Sequence, residues 1–535
     1  MRQLVLLTLL AFVISCKSDK ITGNYNIGLY AHGDIHGCFF DSLYTGSSER
    51  EASLANISSF IKEMREASGG NNVILLDLGD NIHGDNSTHY YNYVHEYASG
   101  EKHLYNRIAE YMGYDAVVVG NHDIEAGRDV HGKVCAESSI PRLAGNVVEL
   151  ASGKPVFEPY VILERNGLKI AVVGLTTHEV KMWLGKEKIE GLDVLPASSV
   201  VSDIVEAIRN KEKPHLLVLA LHSETGKADE DNFMNSGRWI AENVPGIDVV
   251  LASHDHIPFC GKVWNGSDSV LIVNSGPYGK KLSGVILDVT LEKGVVVEKN
   301  ISGELIDMGT VPKDTVYLHE FREDFLRVRA FSSKELGSID AEINPNEIFD
   351  SPCVYSNLLH TVQLKESGAD ISFVSPSKFR GVIPAGEISY NDVLVMYPFE
   401  NLLYKVALTG HQIKNYLELS YDNWKKKPVS FDCAGGLKYT VDFSSQAGER
   451  VTIHSFTDNR AFCLDSTYTA AMASYRANGG GDLLLQATGL HTQQLDGIHI
   501  QKFGAIKDML YNYLNGSKIS SAQLSEAACW EIKGL

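Results

Sequence analysis

Aspartate, asparagine and histidine recur directly after short apolar runs in the first half of the chain. Each run is rich in valine, isoleucine and leucine and is too short for a helix, so it predicts a buried strand. The polar residues follow five of these runs, in the order Asp34-Ile35-His36, Gly79-Asp80, Gly120-Asn121-His122-Asp123, His222, and His254-Asp255-His256. One such residue is usually a turn former or a helix cap. Five together indicate a shared site.

The residue types in this set are those of a metal site. Carboxylate and amide oxygens combined with imidazoles, without thiolates, favour Mn, Fe, Zn or similar ions with open coordination positions. The carboxyl ends of strands in an α/β sheet form the edge where loops converge and ligands bind. The sequence therefore predicts that these side chains meet there.

Helical patterns separate the strands and predict how the motifs are positioned. Residues 53–70 and 200–208 carry apolar side chains at three- and four-residue spacing, and Gly69-Gly70 supplies a stop for the first of these patterns. Short strands that alternate with amphipathic helices favour an α/β architecture.

Length and charge narrow the class of protein. The chain has 535 residues, with 48 basic against 67 acidic residues and a formal net charge of −19, so roughly two or three domains are expected. An acidic surface repels phosphate backbones and anionic lipid, which argues against a nucleic-acid polymer as partner and against basic membrane-binding helices. An anionic substrate then has to be held by metal or by local positive charge.

Residues 1–16 predict a removable leader. The apolar run at residues 4–14 is shorter than the ~20 apolar residues of a membrane-spanning helix. Ser15 and Cys16 follow it and resemble a bacterial lipobox, which makes Cys16 the lipidated residue and residues 17–24 a tether. The alternative is an ordinary signal peptide with an incidental cysteine. The lipoprotein interpretation places the mature protein outside the cytoplasm, anchored to a bacterial membrane at the periplasm or cell surface.

The seven cysteines after Cys16 do not indicate a metal-binding or redox site. None forms a CxxC pair, so a thiolate zinc site or a thioredoxin-type centre has no support. An odd number leaves at least one thiol free, and the sequence does not assign a pairing. These cysteines are Cys38, Cys135, Cys260, Cys353, Cys433, Cys463 and Cys529.

The ordered motifs resemble those of the calcineurin-like metallophosphoesterases, and specifically their 5′-nucleotidase branch, over nearly the whole mature chain. The resemblance implies a four-layer α/β-β/α sandwich over residues 25–308 and a smaller α/β substrate-binding domain over residues 335–535. Residues 309–334 are predicted to form a connecting helix. Its charged stretch, residues 317–331, could instead pack wholly onto the first domain.

The same resemblance implies two divalent ions, whether Zn, Mn, Fe, Mg or similar, and assigns their ligands. Two ions can lower the pKa of a bridging water and neutralise charge on a phosphoryl group, which makes metal-bound hydroxide the expected nucleophile. The bridging ligand would be Asp80. One ion would be held by Asp34, His36, Asp80 and His256, and the other by Asp80, Asn121, His222 and His254.

Two neighbouring residues are implied to act on the substrate phosphate. His122 matches a histidine that donates a proton or hydrogen bond to the reacting phosphate, and Asp123 matches the acidic residue that orients it. A carboxylate beside an imidazole favours the charged ring and supports such a role. The alternative for His122 is a core histidine satisfied by its neighbour.

The second half of the chain carries the implied substrate contacts. Phe399 and Tyr475 match two aromatic positions that stack on a nucleobase, although an aromatic in such a context is more often part of a core. Arg380 or Arg476 is expected to pair with phosphate. The stretch 375–380 lacks the asparagine and glycines of the branch's usual N-x-G-G-I-R motif.

The leading hypothesis is extracytoplasmic hydrolysis of nucleotide phosphate esters, with the substrate held between two domains that rotate relative to each other. Residues 397–404 and 475–481 are closer to 2′,3′-cyclic-nucleotide 2′-phosphodiesterase/3′-nucleotidase relatives, so a 5′-nucleotidase, a 3′-nucleotidase and a cyclic phosphodiesterase all remain open. Three further hypotheses are a nucleotide-sugar diphosphatase, a thiosulfate-cleaving relative, and a noncatalytic surface-binding lipoprotein. The oligomeric state is not predicted.

Overall fold

The computed structural model describes residues 21–45, 48–184, 189–226, 235–377 and 381–534. The predicted leader with Cys16 and the predicted phosphate contact Arg380 lie outside the described residues. Within the described part of the chain, no helix combines the length and the apolar character needed to cross a membrane. The seven cysteines that follow Cys16 are all free thiols.

Two six-stranded sheets form the first domain. The first sheet has the strand order Val295–Asp307, Lys281–Glu292, Gly23–His32, Val73–Asp77, Ala116–Val118 and Arg142–Leu143. The second sheet has the order Phe259–Trp264, Ser269–Asn274, Val249–Ala252, Leu216–His222, Leu168–Thr176 and Tyr160–Arg165. A separate antiparallel pair joins Val147–Glu149 to Leu192–Val194.

The sheets pack face to face, and helices cover their outer faces. Leu29 and Val218, from different sheets, lie in one buried cluster between the sheets. Tyr30 points to the opposite face, as the two-residue period of a strand requires, and packs in a cluster with helical residues such as Leu54. Val201 lies in the corresponding helix-covered cluster on the second sheet. The predicted four-layer α/β-β/α sandwich is confirmed.

The helices of this domain are short and mostly lie on the outer faces. Their bounds are Leu54–Ala67, Asn86–His89, Leu104–Met112, Asn121–Glu125, Arg128–Glu137, Val180–Trp183, Ala197–Lys211 and Gly237–Asn243, with a π-helical turn at Tyr90–Val94.

The strands that carry the polar motifs deliver them to one end of the sandwich. In the first sheet, Val73–Asp77 runs parallel to both Gly23–His32 and Ala116–Val118. In the second sheet, Leu216–His222 runs parallel to Val249–Ala252. Parallel neighbours have their carboxyl ends at the same edge, so the loops that follow these five strands converge.

A second domain has its own hydrophobic core and three small sheets. Their strand orders are Gly386–Ser389, Glu335–Ile339, Lys518–Ile519; then Cys433–Gly435, Ile371–Val374, Thr467–Ala473, Leu402–Thr409, His499–Ala505; then Val451–Phe456, Leu437–Asp442, Cys529–Lys533. The α-helices are Val354–Ser367, Tyr390–Met396, Gly410–Asp422, Ser474–Ala477, Leu483–Thr488, Ile506–Leu514 and Ser521–Leu524. The predicted smaller α/β domain is thereby confirmed.

The connection between the domains differs from the predicted single helix. It consists of two helices, Thr315–Glu320 and Arg322–Ser332, which meet at Phe321. Phe321 and Val328 are buried in the same cluster as the helices of the first sheet. The segment therefore packs on the first domain along most of its length, but not wholly, because Phe331 near its end lies against the second domain with its ring 4.5 Å from that of Tyr390.

Asp324 fastens the connecting segment to the first domain through polar contacts. Its carboxylate is almost fully buried and accepts hydrogen bonds from the Tyr91 hydroxyl and from the Arg107 guanidinium, with Arg107 Nη1 at 3.0 Å from Asp324 Oδ2. A buried carboxylate needs such partners, because an unpaired buried charge is strongly unfavourable.

Removal of this carboxylate is expected to destabilise the first domain. In Asp324→Ala, Tyr91 and Arg107 lose their shared acceptor, and breaking such a pair costs about 3 kcal/mol of unfolding free energy. Urea unfolding followed by tryptophan fluorescence measures the change. Glu320→Ala, at an exposed position of the same segment, is the matched control and should stay within about 0.5 kcal/mol of the parent. Equal stability of the two variants would contradict this packing.

Candidate active site

Five of the seven predicted metal ligands adopt a backbone conformation that is uncommon for residues with a side chain. Their φ angles are positive: 52° for Asp34, 47° for His36, 59° for Asp80, 77° for His254 and 60° for His256. Such residues lie in the left-handed region and cost conformational energy, and they cluster at functional sites where the surrounding structure imposes them. The strain here lies at the strand ends, where the chain turns sharply to aim these side chains inward.

Asp34, His36 and His256 converge on one point, with a ligand atom of each within 4.8 Å of the others. The Nε2 atoms of His36 and His256 are 3.0 Å apart, and Asp34 Oδ1 is 3.5 Å from His256 Nε2. His36 Nδ1 donates to the carbonyl oxygen of His83 at 3.2 Å, so His36 Nε2 presents a lone pair to the group. Asp34 Oδ1 is buried and accepts no hydrogen bond from the described residues.

Asp80, His222 and His254 form a second group, also with ligand atoms within 4.8 Å of one another. His222 Nδ1 donates to the carbonyl oxygen of Leu78 at 2.6 Å. His222 Nε2 then faces two oxygen acceptors, Asp80 Oδ2 at 3.3 Å and Asn121 Oδ1 at 2.9 Å. With an unprotonated His222 Nε2 the three groups would repel, so a proton on that nitrogen or a metal cation has to lie among them.

The pKa values of three predicted ligands show which rings are neutral and which ring the carboxylates hold charged. Burial lowers the pKa of His36 to about 4 and the pKa of His254 to about 3, so both rings are neutral near pH 7, the form that binds metal. At His222 burial also disfavours the charged ring, but the Asp80 carboxylate outweighs it and raises the pKa of His222 to about 10. The carboxylates thus attract a positive charge into the pocket.

The residues present fit divalent cations. The ligand atoms on offer are carboxylate oxygens, an amide oxygen and imidazole nitrogens. They include Asp34 Oδ1, which accepts no hydrogen bond from a described residue, and the oxygen atoms that face His222. The structure brings together all seven predicted ligands: Asp34, His36, Asp80, Asn121, His222, His254 and His256. Whether Asp80 bridges two ions stays a prediction.

The orientation of His122 differs from the sequence-based prediction. Its Nδ1 forms a hydrogen bond with the carboxylate of Glu125, not with Asp123. Both residues lie on the helix Asn121–Glu125, where positions three apart share a face and adjacent positions do not. The His-x-x-Glu spacing is the signal in the sequence that identifies Glu125.

Asp123 instead holds two ligand loops together. Its carboxylate accepts backbone N–H groups from Asp80 at 3.0 Å, Asn81 at 2.9 Å and Gly120 at 2.9 Å, and also from Ile82 at 3.2 Å. The loop after Val73–Asp77 and the loop after Ala116–Val118 are therefore joined through one buried side chain. Asp123 is therefore a structural residue of the site, and the partner of His122 Nδ1 is Glu125.

A cleft of about 550 Å³ opens between the two domains above the ligands. From the first domain it is lined by Asp80, Asn121, His122, Glu125, His254 and His256, and from the second by Phe399, Asn401, Tyr397 and Tyr475 among others. Phe399 and Tyr475, predicted from far apart in the sequence, therefore share one cavity with His122.

Arg476 does not present its guanidinium as the predicted phosphate contact. It is buried, and it donates to both carboxylate oxygens of Asp432, with Nε at 2.9 Å from Oδ2 and Nη2 at 2.8 Å from Oδ1. Two further donors bond the carbonyl oxygens of Phe431 and Gly480. The guanidinium carbon lies 5.5 Å from the centre of the Tyr475 ring, so Arg476 supports the turn that carries this ring.

The glycine run beside Tyr475 has a steric role. A Cβ at Gly480 would lie 2.4 Å from the Tyr475 ring, and one at Gly481, where φ is 72°, would lie 2.2 Å from Arg476 Nη1. Only glycine lets the backbone approach the ring and the guanidinium this closely.

Comparisons with known proteins agree with this division into two domains. The profile of the family "Calcineurin-like phosphoesterase" matches residues 29–258, and that of "5′-nucleotidase, C-terminal domain" matches residues 332–487. A 5′-nucleotidase from Vibrio cholerae is 24% identical over 507 residues, which cover 87% of this chain and 86% of the relative. The protein UshA from Escherichia coli is 23% identical over 443 residues, covering 76% of this chain and 77% of UshA.

Solved structures show the same fold. A candidate 5′-nucleotidase from Staphylococcus aureus superposes with a TM-score of 0.79 at 18% identity, covering 95% of this chain and 100% of its own. The sulfate thiohydrolase SoxB from Thermus thermophilus superposes with a TM-score of 0.60 at 19% identity, covering 95% of this chain and 96% of its own. At these identities the likeness concerns the fold alone.

Gly120 offers a test of the ligand geometry. A Cβ at this position would lie 2.2 Å from Asp80 Oδ1 and 2.3 Å from the Asp80 backbone nitrogen, so Gly120→Ala must displace Asp80. Displacing a ligand loop is expected to weaken metal binding about 10- to 100-fold. Metal per chain after reconstitution with Mn²⁺ or Zn²⁺, measured by mass spectrometry of the element, reports the loss. Gly132→Ala, where a Cβ meets no atom within 4 Å, is the control and should bind metal normally.

Proposed function

We propose that this chain, which belongs to the calcineurin-like phosphoesterases that carry a 5′-nucleotidase C-terminal domain, hydrolyses the phosphate esters of nucleotides outside the cytoplasm. Phosphoester hydrolysis is the activity of this class of enzyme. The nucleotide, the two-ion site and the location are the parts proposed here. The 5′-ester, the 3′-ester and the 2′,3′-cyclic ester are all within the proposal.

The observation that carries the proposal is the composition of the interdomain cleft. One wall holds buried carboxylates and imidazoles arranged to receive positive charge, and the opposite wall holds Phe399 and Tyr475. A phosphate needs the first kind of wall and a nucleobase needs the second, since stacking on an aromatic ring suits every base. A nucleotide is the small molecule that has both parts.

The chain's own residues have distinct tasks in this proposal. Two bound divalent ions, when present, would lower the pKa of a water molecule and neutralise charge on the phosphoryl group. His122, held by Glu125 at its Nδ1, would direct the other ring nitrogen to a phosphoryl or leaving-group oxygen. Phe399 and Tyr475 would hold the base, and Arg476 would keep the Tyr475 ring in place.

The aromatic wall argues against a small inorganic substrate. The fold alone does not distinguish a nucleotide from a small inorganic substrate, because a sulfate thiohydrolase has the same fold. Thiosulfate bound at the predicted metal ligands has no ring that could stack on Phe399 and Tyr475. The relatives named 5′-nucleotidases also support a nucleotide. A noncatalytic binding protein is disfavoured because every predicted ligand is brought together.

The location outside the cytoplasm rests on the leader sequence. Residues 4–14 and the Ser15-Cys16 pair predict export and lipid attachment. Metabolic labelling with palmitate separates the two forms of export: the parent should be labelled and Cys16→Ser should not. An unlabelled parent would leave an ordinary signal peptide as the explanation.

A substrate panel tests the activity. With reconstituted metal, the protein is expected to release phosphate from at least one of AMP and 3′-AMP, or to open 2′,3′-cyclic AMP, and UDP-glucose in the same panel tests the alternative of a nucleotide-sugar diphosphatase. Chelation of the metal with EDTA or replacement of His122 by alanine should abolish release, because both the charge and the proton donor are needed. Turnover that survives either treatment would contradict the proposal.

The proposed stacking of the nucleobase on Tyr475 is tested in the same assay with Tyr475→Ala. Loss of one stacking ring costs about 1–3 kcal/mol per base, so kcat/KM for the preferred nucleotide should fall about 5- to 150-fold. Ribose 5-phosphate, which carries the ester without a base, should be hydrolysed at the parent rate. An equal loss on both substrates would mean that Tyr475 acts on folding or on the phosphate.

A further inference from the structure

His83 lies beside the proposed catalytic histidine and has no assigned task. Its ring stacks on that of His122 with centroids 4.3 Å apart and an angle of 7° between the planes. The side chain is 9% exposed and lines the interdomain cleft. Neither ring nitrogen, Nδ1 or Nε2, has a hydrogen-bond partner among the described residues.

The backbone fixes His83 at this place. Its carbonyl oxygen accepts the hydrogen bond from Nδ1 of the ligand His36 at 3.2 Å, and the two rings lie 6.3 Å apart. The next residue, Gly84, has a φ of 111°, and a Cβ there would lie 3.0 Å from His36 Cβ. The backbone therefore fixes His83 directly beside the predicted metal ligand His36.

An imidazole in this position is costly unless something hydrogen-bonds it. Buried polar groups in proteins nearly always have partners, and an exception calls for an explanation. The cleft in front of His83 is also faced by His122 and Glu125. His83 lines the cleft, so a molecule that enters the cleft would supply this partner once the ring turns its buried nitrogens toward it.

The chemistry of that molecule follows from the orientation of the rings. A ligand atom of each of His83, His122 and Glu125 lies within 4.8 Å of the others, which would allow a cation. However, the lone pairs of two rings only 7° from parallel do not converge on one point, as ligation of a single ion requires. Two parallel imidazoles instead suit two hydrogen bonds to neighbouring oxygens of one group. A phosphoryl group offers such oxygens.

We propose that His83 is a second imidazole that hydrogen-bonds the phosphoryl group of the substrate, next to the one donated by His122. This inference rests on the proposed phosphoester substrate and adds a residue to its binding. His83 thereby becomes a catalytic residue in the sense that it touches the reacting group. Its stacking on His122 also limits the rotation of that ring.

Three variants at one position separate hydrogen bonding from stacking. His83→Phe keeps a flat ring against His122 but has no nitrogen, whereas His83→Gln keeps a donor but has no ring. His83→Ala has neither. The matched control is His89→Phe, because His89 is also buried, at 7% exposure, and stacks on Phe331 at 6.0 Å, but lies against a different cavity.

The expected result is a loss that follows the hydrogen bond. kcat/KM on the preferred nucleotide should fall about 100-fold in His83→Phe and His83→Ala and less than about tenfold in His83→Gln. Binding of inorganic phosphate, measured by calorimetry on the metal-loaded protein, should weaken at least about tenfold in His83→Phe. His89→Phe should match the parent in both measurements. Metal content and melting temperature are measured for every variant.

Two results would overturn the inference. If His83→Phe keeps parent kcat/KM and phosphate affinity while His83→Gln loses them, the ring acts by stacking alone. If activity falls only together with metal content, His83 supports the ligand shell and does not touch the substrate. The calorimetry keeps this test separate from the proposed function: a parent protein that hydrolyses no nucleotide refutes the nucleotide substrate, but phosphate binding still reports on His83.

Discussion

The structure depends on the burial of negative charge where strands of the sandwich end. Asp34 and Asp80 are almost completely buried, and they face imidazole lone pairs and an amide oxygen, which on their own would repel them. Such an arrangement is stable only if a cation completes it or if the surrounding structure compensates for its cost. The positive φ angles at five ligands add to that cost. Binding of divalent ions is therefore coupled to the stability of these loops.

The compensation within the protein comes from backbone hydrogen bonds. Asp123 joins the loop of Asp80 to the loop of Asn121 through four N–H groups, and Asp34 Oδ2 accepts the backbone N–H of His254 at 2.8 Å. These contacts link loops from both sheets across the end of the sandwich. The ligands are thus preorganised by the fold, which favours tight and geometrically selective metal binding.

The ligands can be predicted from the sequence, whereas two of the polar roles cannot. Each ligand follows an apolar strand directly, and strand ends are local features that a sequence displays. The family resemblance implies that Asp123 orients His122, but helical geometry gives that place to Glu125, three residues along. Arg380 or Arg476 is predicted to pair with the phosphate, and Arg476 is paired otherwise. Asp432, which neutralises it, lies 44 positions away and nothing local in the sequence indicates their contact. A contact between side chains far apart in the chain, such as Arg476 with Asp432, leaves no local pattern in the sequence.

The net charge of −19 acquires a specific meaning from this arrangement. A strong cation that the cleft could have offered to a phosphate is committed elsewhere, because Arg476 pairs with Asp432. Among the described residues, the groups left to attract a phosphate are the imidazoles, which carry donors without a fixed charge, together with any bound metal. Among the described residues that line the cleft, the second domain therefore contributes stacking surfaces at Phe399 and Tyr475, while the charge of Arg476 is neutralised by Asp432.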